Sequence, residues 1–371
     1  MDYNLSLTER FKKFNHGVSR SLGRGYVISR RHSVFLRVLC GLSLFFILTI
    51  SSCIQTESSR AEFALGTVCR ITLFDQANER VYQEVFARIR EIENLMSVNI
   101  SGSDVSRINA AAGIEPVQVH ENVFNVIKRA LYFAEISGGA FDPTVGPLVS
   151  LWGISGDNPR VPSQEEIEEA LSVINWQDVE LDANTRSVFL KRRGMALDLG
   201  AIAKGYAADE AAAIIKNSNI KRAIIDLGGN IITLGENKDS RLWRVGIQNP
   251  LEDHGTYLGV LQITEQTVVT SALNERFFEK DGRRYHHIFS PESGYPAEND
   301  LLSVTIIAHN SMDADALSTS VFVLGYEKGK ELIESISDTE AVFILKDMSV
   351  RKTAGVDFTL TDQTFRLNEQ E

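Results

Sequence analysis

The chain reads as α+β, a single domain with a largely antiparallel sheet and helices packed around it. Three observations carry this reading. Apolar residues recur near helical spacing at 81–96 (Val81, Val85, Phe86, Ile89, Ile92, Leu95) and again at 123–136, just before Gly138-Gly139. Short apolar runs at 222–227, 231–234, 243–247, 257–263 and 267–270 follow one another with only turns between them. Gly228-Gly229-Asn230 follows one of these runs but lacks the third glycine and following helix of a dinucleotide fingerprint, so a Rossmann reading fails.

The elements run as follows. Arg30, Arg31 and Arg37 precede an uncharged apolar run, 38–50, too short to span a bilayer and suited to a signal-peptide core. Ile50-Ser51-Ser52-Cys53 closes it in the pattern of a bacterial lipobox, which predicts a leader at 1–52 and acylation at Cys53. A plain membrane anchor with an incidental cysteine is the alternative. Residues 53–61 read as the lipidated cysteine and a polar tether, 62–365 as the folded body, and 366–371 as a tail. The alternating run Thr67-Val68-Cys69-Arg70-Ile71-Thr72-Leu73-Phe74 predicts a strand in which Cys69 is a small buried residue. Residues 164–171 predict a short helix, capped by Ser163 and acidic in its first turn. Residues 187–191 and 196–200 read as strands, 205–215 as an alanine-rich helix, 302–308 as a strand and 314–324 as a last helix.

Charge narrows the partners. The whole chain carries −11. Removing the leader takes away 8 of the 38 Lys+Arg and 2 of the 49 Asp+Glu, leaving −17. So acidic a body argues against nucleic acid, since phosphate neutralisation needs a basic face. Cys40 leaves with the leader and Cys53 takes the lipid, so Cys69 has no partner for a disulfide within the body.

Three segments suit chemistry better than packing. His286-His287-Ile288-Phe289-Ser290-Pro291-Glu292-Ser293-Gly294-Tyr295-Pro296 puts paired imidazoles before a rigid loop, where a protein positions a base or grips a ligand. One of the two rings is expected to be structural, and His287 is the one assigned to chemistry. Asp198-Leu199-Gly200-Ala201-Ile202-Ala203-Lys204-Gly205-Tyr206 runs into a helix N-terminus, where free N–H groups and a lysine suit a diphosphate. Simple helix capping accounts for it equally well. In Asp313-Ala314-Asp315-Ala316-Leu317-Ser318-Thr319, Asp315 and Thr319 lie one turn apart on one helix face and offer oxygens to a hard cation. A first helical turn also favours carboxylates for its dipole alone.

With Gly138-Gly139-Ala140-Phe141-Asp142-Pro143-Thr144 and Leu65-Gly66-Thr67, in order along the chain, these segments resemble the FAD:protein FMN transferases, the ApbE family of flavin transferases. The likeness runs from about Ala64 to Phe322. It implies FAD contacts at Leu65, Asn99, Ala140, Phe141, Asp142, Asp198, Lys204 and Phe289. It also implies a catalytic role for His287, and Mg²⁺ held by Asp315, Thr319 and a main-chain oxygen of Ala201. Small residues at 140 would allow close backbone approach to the flavin nucleotide, and Phe141 would supply a flat apolar wall. The chain departs from the family at Asn99 (commonly Tyr), Ala272 (usually Gly), Ser290 (usually Asp) and Ser318 (often acidic). Asn99 in a lipoprotein form is similar to treponemal-type FAD pyrophosphatase/FMN transferases.

The function this implies is Mg²⁺-dependent transfer of FMN from FAD to Thr or Ser of membrane-associated redox proteins, releasing AMP. The protein would stand on the periplasmic side of a bacterial membrane, the inner one by preference, held by its lipid. A Mg²⁺-dependent FAD pyrophosphatase keeps the same site with water as acceptor. A non-catalytic FAD-binding lipoprotein is the reading from another class, and it has no use for the Asp315/Thr319 pair.

Overall fold

A computed structural model describes residues 58–75, 78–156, 158–237, 241–252 and 255–368. The leader, Cys53 and its acylation lie outside these residues. The chain opens with a hairpin, β1 (Ser58–Ala64) and β2 (Thr67–Leu73), turned by Leu65 and Gly66, both with positive φ. Helix α1 (Glu79–Met96) buries the stripe Val81, Val85, Ile89, Ile92 and Met96, and Asn78 caps it by accepting the Arg80 N–H. Next come α2 (Asp104–Ala110), β3 (Val117–Gln118), α3 (Glu121–Ile136), α4 (Gly146–Trp152) and α5 (Gln164–Leu171). Helix α5 carries a full capping box between Ser163 and Glu166.

After β4 (Val179–Asp182) and β5 (Ser187–Leu190) the chain enters α6 (Ala203–Asn217), then β6 (Ala223–Leu227), β7 (Asn230–Leu234), β8 (Trp243–Gln248), β9 (Tyr257–Ile263) and β10 (Thr267–Ala272). A hairpin of β11 (Phe277–Lys280) and β12 (Arg283–His286) leads to β13 (Leu301–Ala308), α7 (Ser311–Leu324) and α8 (Tyr326–Glu334). Four strands close the chain: β14 (Glu340–Leu345), β15 (Ser349–Lys352), β16 (Phe358–Leu360) and β17 (Arg366–Leu367).

The main sheet has nine strands in the order β1-β2-β6-β7-β10-β13-β14-β15-β17, antiparallel except where β17 joins β15 in parallel. Its centre is buried on both faces. Along β14, Ala341, Phe343 and Leu345 enter the core beneath the helices, while Val342 and Ile344 enter a second core under the small sheet β16-β9-β8. Cys69 is fully buried in β2, and burial pushes its thiol up to about 11, as befits an inert core residue.

Three boundaries differ from the sequence reading. The tether ends earlier than residue 61, because Ser58 to Ala64 pair residue by residue with β2. Its polar side chains simply face out from an edge strand. The tail at 366–371 begins inside the sheet, since Arg366 and Leu367 pair with Ser349 and Val350. Residues 196–200 form no strand. Their main-chain groups bond elsewhere: Leu197 exchanges both its bonds with the Asn109 amide (2.7 and 3.0 Å), and the Asp198 N–H donates to the Pro143 carbonyl (2.9 Å).

Candidate active site

The site begins where α6 and α7 cross. Gly205 permits the crossing, since a Cβ there would lie 2.2 Å from the Ser311 carbonyl oxygen. The N-cap residue of α6, Ile202, gives no side-chain bond, so a partner helix does the capping. The Asp315 carboxylate of α7 accepts the Gly205 N–H (2.9 Å) and the Lys204 ammonium (3.0 Å). In return, Asp209 of α6 accepts the Ser311 and Met312 N–H groups at the start of α7, each at 2.9 Å. Burial pushes Asp209 up to about 6 despite those two bonds. Asp313 is spent on a bidentate pair with Arg129 of α3 (2.7 and 2.6 Å).

Lys204 is thus a cation held in place by Asp315. Ala201 follows Gly200, whose carbonyl the Lys204 ammonium also approaches (3.5 Å). Thr319 stands one turn beyond Asp315, and among the described residues its hydroxyl makes no hydrogen bond. Ser318, where the family often has an acid, is buried and bonded to Ser271 and to the Asp315 carbonyl. No group of three or more His, Cys, Asp or Glu gathers as a metal cage among the described residues. One carboxylate with hydroxyl and main-chain oxygens still fits a hard cation that takes its remaining ligands from water or phosphate.

The histidines divide their roles. His286 is buried, with Nε2 3.0 Å from the Ala297 carbonyl and Nδ1 accepting the Ile288 N–H at 3.3 Å, so both nitrogens serve the fold. Its pKa falls to about 4, chiefly through burial. His287 lies with its main-chain N–H (3.1 Å) and its Nδ1 (3.2 Å) against one carbonyl, that of Arg276. A carbonyl only accepts, so Nδ1 carries the proton and Nε2 keeps its lone pair. Loss of water, then the charges of Arg276, His286 and Lys204, push this ring down to about 3, and it stays neutral at physiological pH.

The loop between β10 and β11 completes the cluster, and the sequence reading passed over it. Glu275 feels Lys204, Asp315 and Arg276 together. Desolvation outweighs the two cations and pushes its carboxyl up to about 7. The Arg276 Nη2 donates to the Gly66 carbonyl (3.1 Å), tying the Leu65–Gly66 turn to this loop, while the Leu65 N–H donates to Glu93 (2.8 Å). Asn274-Glu275-Arg276, three polar residues between a buried strand and a hairpin, was the signal to find it.

The Ala140–Thr144 turn is held by its own aspartate. Both Asp142 oxygens are used locally: one accepts the Thr144 N–H and hydroxyl (2.8 and 2.6 Å), the other the Trp176 N–H (3.1 Å). Phe141 is 3 % exposed and packs in the main core, so its ring is no open wall, and its N–H donates to the Ser137 hydroxyl (3.0 Å). Asp198 joins this turn to the α6 entrance through Pro143 and accepts the Gly200 N–H (2.7 Å). Burial raises its pKa. Phe289 is buried against Trp152 (5.8 Å between ring centres), whose Nε1 donates to the Gly294 carbonyl (2.9 Å) and pins the Pro291–Pro296 loop. Asn99 is exposed between α1 and α2, and no hydrogen bond of its side chain ties it to the cluster among the described residues.

Known proteins match this chain over most of its length. The ApbE family profile matches residues 65–343. An FAD:protein FMN transferase of Treponema pallidum (strain Nichols) is 40% identical over 350 residues, 88% of this chain and 94% of the relative. One from Klebsiella pneumoniae (strain 342) is 42% identical over 286 residues, 77% of this chain and 88% of the relative. The crystal structure of the ApbE protein of Thermotoga maritima superposes with a TM-score of 0.74 at 35% identity, covering 81% of this chain and 97% of that one. The flavin transferase ApbE of Vibrio cholerae superposes with a TM-score of 0.72 at 27% identity, covering 84% and 98%.

Proposed function

The chain belongs to the ApbE family, and from that premise we propose that it transfers FMN from FAD to a hydroxyl of an acceptor protein, releasing AMP. Lys204 carries the reading: it is bound to Asp315 at 3.0 Å while its charge acts on both His287 and Glu275. Base, cation and carboxylates from four separate segments therefore serve one reaction centre.

The acceptor is a Thr or Ser. Its oxygen attacks the phosphorus on the FMN side of the diphosphate while its proton passes to His287 Nε2. The bond to the bridging oxygen breaks, and AMP leaves with that oxygen. His287 suits the part because its Nδ1–H is held by the Arg276 carbonyl and its ring is neutral before the reaction. Asp315, Thr319 and the main chain at Ala201 would hold Mg²⁺ beside Lys204. The ion supplies neutralisation of the charge that builds on the phosphoryl oxygens. Asp198 and the Ala140–Thr144 turn, joined through Pro143, line the side on which the nucleotide lies.

Acylation at Cys53 would hold the body against the periplasmic face of a membrane, near membrane-bound redox proteins as acceptors. Among the described residues no helix is long and apolar enough to cross a membrane. Incubating the purified protein with FAD, Mg²⁺ and a threonine-bearing redox protein tests the whole reading. AMP release matched by covalent flavin on the acceptor is expected. FMN and AMP free in solution, with the acceptor unmodified, would make it a pyrophosphatase, and unaltered FAD would leave only a binder.

A further inference from the structure

We infer that Arg276 is the anion grip of this site, its guanidinium holding the diphosphate of FAD beside His287; the inference rests on the functional reading above. Two cations act on His287, Lys204 and Arg276. Lys204 is committed to Asp315. Arg276 is committed to no carboxylate: among the described residues its side chain makes one hydrogen bond, to the neutral Gly66 carbonyl, and no ion pair. Most described arginines, Arg88, Arg129, Arg160 and Arg222 among them, are instead bound to an acid.

The place of this arginine is as telling as its lack of a carboxylate partner. Its charge acts on Asp198, on its neighbour Glu275 and on His287. A guanidinium has five N–H donors in a planar fork, and Gly66 takes up one Nη2–H. The remainder can meet two phosphoryl oxygens at once, which a lysine ammonium cannot do with the same geometry. The Gly66 contact also limits where the fork can go, since a Cβ at Gly66 would stand 3.4 Å from the Arg276 Nη2. Meanwhile the carbonyl of this same residue holds the His287 ring through Nδ1. One residue therefore sets both the anion and the base, a short fixed distance apart.

The test compares binding of FAD, ADP and riboflavin to the full-length protein and to its R276K and R276A variants, by calorimetry in metal-free buffer. Riboflavin has the ring system and no phosphate. R276A is expected to weaken FAD and ADP by roughly 10- to 100-fold, the usual worth of charge-assisted hydrogen bonds, while riboflavin stays within about twofold. R276K should fall between, retaining the charge without the fork. Unchanged FAD affinity in R276A, or equal weakening of FAD and riboflavin, overturns the role of Arg276 and leaves the functional reading standing. A parent protein that binds no FAD overturns that reading itself.

Discussion

The crossing of α6 with α7 and the loop that follows β12 bring their chemistry to one place by opposite means. At the crossing the functional side chains are also the struts. Asp315 caps α6, Asp209 caps α7, and the helices approach closely only because residue 205 is glycine. Around His287 the struts are main-chain carbonyls and packed aromatic rings, with Trp152, Phe289 and Tyr295 beneath and the Arg276 carbonyl behind. The imidazole that would do the chemistry supports nothing else. Chemistry and stability should therefore be inseparable at the crossing and separable at the loop.

Asp315→Ala should have the largest effect. It strands the Gly205 N–H and leaves Lys204 without its partner, at a cost of about 3 kcal/mol, and AMP release should fall to background. Asp315→Asn keeps an oxygen for Gly205 and should regain much of the melting temperature without regaining turnover. Thermal melts and AMP release on the same preparations give both numbers, and full stability in Asp315→Ala would break the contrast from this side. His287→Ala should slow transfer by about 10²–10⁴-fold, the range for a lost general base, with a melting temperature within about 2 °C of the parent. A melt as low as that of Asp315→Ala would mean the two regions are built alike.

The two histidines of the loop and Asp209 of the crossing also respond to pH with opposite sign. His286 and His287 are held down at about 4 and about 3 in the fold but take up protons near 6.5 when unfolded. Their contribution is complete above 6.5 and is lost as pH falls towards those folded values, at up to about 1.4 kcal/mol per unit for each ring. Asp209 at the crossing is raised to about 6 from 3.8, so its contribution is complete below 3.8 and lost as pH rises through 6. Between pH 6.5 and 4, His286→Asn should therefore lose stability less steeply on acidification than the parent, and Asp209→Asn more steeply. Denaturant midpoints across that window measure both slopes. Parallel curves for all three proteins would remove the opposition.

Legibility in the sequence follows the same divide. Periodicity located α1 and α3, the cap and acidic first turn located α5, and alternating or apolar runs between turns located β2, β6, β7, β10 and β13 of the main sheet. The sequence reading missed α2 and α4, which are too short to show a period, and also α8 and the strands β14 to β17. It took residues 196–200 for a strand because nothing local reveals that Asn109 and Pro143 satisfy that backbone. In the site, Asp315, Lys204 and His287 were legible as residues in motifs, and the structure brings them together. The hydrogen bond between Lys204 and Asp315 spans 111 positions, so it belongs to no motif. Asp142 and Phe141 were legible as well, yet the side chains serve the loop and the core. Arg276 and Glu275 matter through what surrounds them, and surroundings are what a single sequence conceals.

The smallest expected effect falls on a residue that belongs to neither region. Asn99 is exposed in the turn between α1 and α2, its main-chain N–H bonded to the Ser97 hydroxyl and its amide bonded to no described group. Its side chain is exposed and caps no described helix, so Asn99→Tyr should leave the melting temperature within about 2 °C of the parent. Where the family commonly carries tyrosine, a ring at this position can lie against the bound nucleotide and shield one side of it from water. Asparagine is smaller and leaves that side wet, with an amide able to orient a water molecule. The parent should therefore release FMN and AMP from FAD without any acceptor, and Asn99→Tyr should cut this hydrolysis a few-fold while transfer to an acceptor threonine holds or rises. Acceptor-free AMP release by the two proteins at equal Mg²⁺ and FAD decides the matter. Equal rates, or none in the parent, would mean that shielding from water is set wholly by the crossing and the His287 loop, and that position 99 has no part in the choice of acceptor.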